Sequence, residues 1–266
     1  MDNNVLLAFF LTLLAGLSTG IGSLIAFLYR HTNRKFLSVA LGFSAGVMVY
    51  VSTIEIFVKA KDSLVAFMGY RLGNWVTVIA FFGGMFFIAI IDKLIPSEEN
   101  PHEVKLMEEI EKNPPSTKLM RMGIFTALAI AIHNFPEGLA TFVSALQDPT
   151  IAVPIVVAIA IHNIPEGIAV SVPIYQATGS RKKAFCYSFL SGLAEPIGAL
   201  VGWVILRPFM NDAVFGILFA AVAGIMVFIS FDELLPAARE YGEHHLSIYG
   251  LSAGMIIMAV SLLLFL

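Results

Sequence analysis

Eight stretches of this chain are apolar for long enough to cross a lipid bilayer, and between them they use up most of its residues. A hydrocarbon core takes roughly 20 helical residues to span. The stretches lie at 4–29, 36–58, 73–91, 119–144, 149–177, 182–207, 212–236 and 246–266. Lipid offers no water to backbone amides, so such segments must satisfy their hydrogen bonds internally, as helices. The sequence therefore predicts an all-α integral membrane protein with eight transmembrane helices, a single domain over 1–266 whose one sizeable loop is 92–120. Only 13% of the residues are charged, against about 25% in a soluble domain. The formal charge is −3, and no basic surface points to nucleic acid. The partner that the composition requires is the bilayer.

Lys and Arg mark the cytoplasmic side of a membrane protein. With the N-terminus outside, the inner segments hold Arg30, Arg34, Lys35, Lys93, Lys105, Lys112, Lys118, Arg121, Arg181, Lys182, Lys183 and Arg239, and the outer ones hold Lys59, Lys61, Arg71 and Arg207. That bias predicts a multi-pass cell-membrane protein with both termini outside. The first stretch follows Asp2 without a basic leader, so it reads as a retained helix rather than a signal peptide. The lone Cys186 excludes an internal disulfide and a thiolate metal site, and it reads as an apolar packing residue.

Inside the apolar helices a twelve-residue stretch occurs twice. Residues 129–140 read A-I-A-I-H-N-F-P-E-G-L-A and residues 158–169 read A-I-A-I-H-N-I-P-E-G-I-A. Ionisable residues inside a bilayer are costly, and they mark functional sites by default. On helix four, His133 and Glu137 share one face, bordered by Asn134. On helix five the same holds for His162, Asn163 and Glu166. The two helices are consecutive and antiparallel, so the motifs meet head to tail: His133 lies level with Glu166, and Glu137 with His162. The two levels are about 6 Å apart in depth. Pro136 and Pro165 remove backbone donors and free the carbonyls of Ile132 and Ile161. Helix six adds Glu195, followed by Pro196, at a similar depth.

Three carboxylates and two imidazoles cannot share a dry site uncompensated. A divalent cation resolves the conflict. Imidazole with carboxylate suits zinc, iron, manganese and related ions, and two adjacent ions sharing Glu137 and Glu166 are feasible. A hydrogen-bond network without metal is the blander reading, and the duplication of the whole constellation weighs against it.

A second repeat is more diffuse. Residues 45–55, A-G-V-M-V-Y-V-S-T-I-E, match 223–233, A-G-I-M-V-F-I-S-F-D-E, including Ser52 with Ser230 and Glu55 with Glu233. Residues 16–24 match 192–200 more weakly, with Thr19 opposite Glu195. No match between helices three and eight is visible. Helices two and seven cross the membrane in opposite directions, which makes the pattern an inverted repeat of 3+2+3 helices. Secondary transporters are built this way, with sites near the midplane on interrupted helices. Along a path through the centre the sequence places Met48, Ser52 and Glu55 on one side and Asp92, Asp232 and Glu233 on the other. Met48 and its mate Met226 read first as packing residues, and the acids read equally as interfacial side chains. The loop 92–120 reads as a solvated linker with one short helix near 101–112, and Glu98, Glu99, His102 and Glu103 would collect metal only weakly.

The paired H-N-x-P-E-G motifs, G-L-A-E-P in helix six and S-F-D-E-L-L-P in helix seven resemble the ZIP family of divalent metal transporters, most of all its bacterial ZupT-type branch. The resemblance spans the chain. It implies uptake of Zn²⁺ and related ions into the cytoplasm through a binuclear centre. His133, Glu137, His162 and Glu166 would form one site, and Asn134, Asn163 and Glu195 a second that shares Glu137 and Glu166. It also implies an elevator-like movement of helices one, four, five and six against a dimerising scaffold, hence a homodimer. Many relatives carry a His-rich loop between helices three and four, whereas this loop has only His102, which leaves metal sensing by the loop without support. Glu195, an extra hard oxygen ligand, predicts that Fe²⁺ and Mn²⁺ are accepted beside Zn²⁺, and Co²⁺ and Cd²⁺ are the further candidate substrates.

Two rival readings remain at this point. A membrane di-metal enzyme would use Glu-x-x-His, whereas this chain has His-x-x-x-Glu. A metal-selective channel would show linear rather than saturable flux.

Overall fold

The computed structural model describes residues 3–28, 34–94, 116–147, 149–209, 211–241 and 244–264. All regular structure among them is helical. We number eight helical rods in chain order. α1 is Asn3–Leu28. α2 runs over 34–68, as Arg34–Tyr50, a π turn Val51–Ile56, and Phe57–Met68. α3 is Tyr70–Leu94, α4 is Ser116–Gln147 and α5 is Pro149–Thr178. α6 runs over 181–206, broken once at Leu193 and ending in a π turn, Gly202–Leu206. α7 joins Asp212–Ile229, a π turn Ser230–Leu234 and Leu235–Tyr241, and α8 is His244–Leu263.

Six of these rods, α1, α2, α3, α6, α7 and α8, are long and apolar enough to cross a membrane among the described residues. α4 and α5 have 32 and 30 residues, ample for a crossing, and carry the polar motifs at their centres. Sequence and structure differ most at α2, expected to end near residue 58. It continues as helix to Met68, with Lys59 reaching back one turn to Glu55 at 2.7 Å, and ends at Gly69, whose φ is 81°. Asn211 caps α7 by accepting from the Val214 amide at 3.0 Å, and Ser180 caps α6 in the same way. α6 breaks before Pro196, which has no N–H to give to the Gly192 carbonyl. The short helix expected near 101–112 lies outside the described residues, as do Glu98, Glu99, His102 and Glu103.

The rods pack as two groups. α1, α4, α5 and α6 pack chiefly on one another, and α2 packs on α8 as α7 packs on α3. The groups meet mainly where α2 approaches α5 and α7 approaches α4. An apolar cavity of about 700 Å³ lies at this meeting, lined from α3, α4 and α7 by residues such as Gly84, Phe87, Ile132, Pro136 and Val222. Lipid tails are as apolar as leucine, so helices within a bilayer associate through close backbone approach at small residues rather than by hydrophobic exclusion. At Gly46 of α2 a Cβ would collide with the Leu251 backbone, and at Gly224 of α7 with the Phe81 backbone. These are matched residues of the repeat.

α3 and α8, which show no match as sequences, make like contacts. A Cβ at Gly84 would strike Ala221, and one at Gly254 would strike Phe43. Aligned on those glycines, Gly84, Met85 and Ala89 pair with Gly254, Met255 and Ala259. Burial then runs in step, with Ile88 and Met258 inward and Phe86, Phe87, Ile256 and Ile257 exposed. The π turns of α2 and α7 also fall at matched positions.

Candidate metal centre

The two duplicated stretches meet in the middle of the bundle as their antiparallel course requires. His133 Nε2 lies 3.1 Å from Glu166 Oε2, and His162 Nε2 lies 3.0 Å from Glu137 Oε1. All four side chains, with Asn134, Asn163 and Glu195, are buried, none more than 2% exposed. The spacing explains the crossing: within one helix His and Glu four residues apart point the same way, so the nearest partner of each imidazole is the carboxylate across the interface.

Close helix packing sets this geometry. A Cβ at Gly138 would meet the Glu195 backbone, and one at Gly167 the Thr19 backbone. The motif glycine after each Glu therefore lets α6 and α1 press against α4 and α5 and brings Glu195 to the centre. Asn163 donates to Glu195 Oε1 and to the Ala15 carbonyl at 3.1 Å. Asn134 donates to the Ser191 carbonyl at 3.4 Å.

Many polar atoms here have no hydrogen-bond partner in the protein. They include both oxygens of Glu137, Oε2 of Glu195, Nδ1 of both histidines, Nε2 of His162 and Oδ1 of Asn134 and Asn163. The His162–Glu137 approach is close but lacks hydrogen-bond geometry. Buried polar atoms are normally satisfied, and a cluster of orphaned oxygens and imidazole nitrogens is the donor set a divalent transition metal accepts. The side chains are paired rather than convergent: among the described residues, no three of the His, Cys, Asp and Glu side chains form a group able to hold a metal ion.

The flanking residues divide. Met48 and Met226 are buried in the core. Ser52 is buried with an unpartnered hydroxyl. Glu55 Oε1 lies 2.7 Å from Lys59 Nζ, one turn further along α2. Asp92, Asp232 and Glu233 lie within electrostatic reach of one another, and Glu233 also of His133 and Glu166. Sequence reasoning missed Ser44, whose hydroxyl lies 3.4 Å from Glu166 Oε1. It also passed over Thr19 as a site residue, although Thr19 is buried with an unpartnered Oγ1. Ser44 stands immediately before the repeat segment in α2, opposite Val222 before the segment in α7, and that unlike pair is the signal that would have found it.

Comparison with known proteins agrees with the arrangement. The model of the ZIP zinc transporter family matches residues 91–262, more than half of the chain. The zinc transporter ZupT of Streptococcus mutans serotype c is 71% identical over 265 residues, covering 100% of both chains. That of Clostridium perfringens is 66% identical over 277 residues, with 99% of this chain and 97% of the relative covered. That of Chlorobium chlorochromatii is 63% identical over 267 residues, covering 100% of both. The chain belongs to the ZIP family of zinc transporters: it is a multi-pass membrane transporter, not an enzyme.

Proposed function

We propose that this protein is a secondary transporter that carries zinc, and with it Fe²⁺, Mn²⁺, Co²⁺ and Cd²⁺, into the cytoplasm. The observation that carries the reading is the pair of antiparallel motifs whose His and Glu side chains meet, buried, at the centre of the bundle. His133, Glu137, His162 and Glu166 hold one ion. Asn134, Asn163 and Glu195 hold a second, sharing Glu137 and Glu166. An arriving ion exchanges water for these ligands and displaces their protons. An inside-negative potential of 100 mV favours inward passage of a divalent ion by about 4.6 kcal/mol, twice the single-charge value. Uptake therefore needs no nucleotide. Ions approach past Ser52 and Glu55 and leave past Asp92, Asp232 and Glu233.

Alternating access uses the two helix groups. α1, α4, α5 and α6 carry the ions, and α2, α3, α7 and α8 form the scaffold through which two copies dimerise. The matched contacts of α2 with α8 and of α7 with α3, and the matched π turns, support an inverted 3+2+3 repeat of eight spans, and the excess of Lys and Arg in the inner segments supports both termini outside. The sparse contact and the apolar cavity between the groups support their sliding. A channel has no comparable support.

The test is radioactive zinc uptake into proteoliposomes of purified protein, with Glu137→Ala as control. Saturable flux in the wild type and none in the variant is expected. Absent flux in the wild type, or equal flux in both, would overturn the reading, and linear flux would leave a channel. Protection of single-cysteine variants near each terminus from an impermeant reagent reports the orientation.

A further inference from the structure

The two central carboxylates are unequally held. Glu166 has both oxygens occupied: Oε2 faces His133 Nε2 at 3.1 Å, and Oε1 accepts from Ser44 Oγ at 3.4 Å. The Ser44 hydroxyl also lies 3.5 Å from the His162 carbonyl oxygen. Glu137, the same residue of the other motif copy, has Oε1 3.0 Å from His162 Nε2 without hydrogen-bond geometry, and no hydroxyl reaches either of its oxygens. The repeat gives the reason. With residues 45–55 set against 223–233, Val222 of α7 stands where Ser44 stands in α2. Both are buried, and Val222 lines the cavity with Ile132 and Pro136 of α4. A valine methyl cannot donate, so only one carboxylate receives a hydroxyl from the scaffold group. That contact also crosses between helix groups, because Ser44 belongs to α2 and Glu166 to α5.

We propose that Ser44 is a positioning residue of the metal centre: its hydroxyl fixes the Glu166 carboxylate for the ion, which leaves Glu137 as the carboxylate that moves. The inference rests on the reading of this centre as the zinc site. A donor on Oε1 leaves Oε2 to the ion and favours ligation through one oxygen. The donor belongs to the other helix group, so a slide of the groups breaks the bond. Ser44 therefore grips Glu166 in the conformation seen here and releases it in the other.

The experiment compares wild type, Ser44→Thr, Ser44→Val and Ser44→Ala by equilibrium zinc titration of purified protein in detergent and by zinc uptake in proteoliposomes. Thr and Val have the same shape, so any packing cost is common to both and their difference isolates the hydroxyl. A typical hydrogen bond corresponds to about a five- to tenfold change in an equilibrium constant. Ser44→Val is expected to bind zinc about five- to tenfold more weakly than Ser44→Thr. Its KM is raised in proportion and its kcat is not reduced, and Ser44→Ala follows Val. Equal binding by the Thr and Val variants overturns the proposal, as does a change confined to kcat. The two readings fail differently. If wild type neither binds nor moves zinc, the transport function itself is lost. If wild type transports, Glu137→Ala does not, and the hydroxyl makes no difference, only the role of Ser44 is lost.

Discussion

The crossed pairing of the two motifs makes a quantitative prediction that separates it from the pairing within one helix. His133 lies 3.1 Å from Glu166, both buried. Unit charges about 3 Å apart attract by about 5 kcal/mol at an effective dielectric constant of 20. Removing one partner of such a pair typically costs 3–5 kcal/mol, because the other is left uncompensated. Ser44 still serves Oε1 of Glu166, so His133→Ala should cost about 3 kcal/mol, the low end of that range. Neutralising the abandoned carboxylate should then restore stability. The double variant His133→Ala/Glu166→Gln is expected to recover about 2 kcal/mol of the loss, as coupled neighbours do. His133→Ala/Glu137→Gln should recover less, about 1 kcal/mol or under, because Glu137 acts on position 133 only from one helical turn away. The measurement is a double-mutant cycle on unfolding free energy in metal-free detergent solution, followed by intrinsic fluorescence. A coupling between positions 133 and 137 as large as that between 133 and 166 would refute the crossed geometry.

Three further outcomes are expected. Zinc at about 100 times its dissociation constant should stabilise the wild type by about 2.7 kcal/mol, a gain that chelator removes and that Glu137→Ala lacks in a thermal-shift assay. Glu195→Ala should keep zinc uptake within about threefold but reduce Fe²⁺ and Mn²⁺ uptake by about tenfold or more, since the harder ions depend more on an oxygen ligand; competition assays measure both. Gly84→Val and Gly254→Val should each destabilise the fold by about 1–3 kcal/mol by forcing packed backbones apart. Gly83→Val should cost little, because nothing lies within 4 Å of its Cβ position, and chemical unfolding of the three variants distinguishes them.

What the sequence made legible and what it hid follow from the same physics. A bilayer penalises every buried polar atom, so His133, Asn134, Glu137, His162, Asn163, Glu166 and Glu195 stood out against an apolar background, and helix direction alone paired His133 with Glu166. Packing between α3 and α8 and their neighbours leaves no such contrast. It needs only a small residue at each crossing and apolar bulk elsewhere, and many sequences meet that requirement. The match of Gly84 with Gly254 became visible only when both glycines were found against their neighbours' backbones. Ser44 was hidden for a related reason. A serine in a membrane helix usually satisfies itself on the preceding turn, as Ser230 does on the Met226 carbonyl at 2.7 Å, so its presence in α2 carried no signal. It gains meaning from Val222, the residue that alignment of the two repeat segments sets opposite it and that cannot donate. A carrier that holds its ions between two near-identical motifs needs some residue to decide which one holds still. In this chain the unlike pair, Ser44 and Val222, is placed to make that choice at the point where the two helix groups touch.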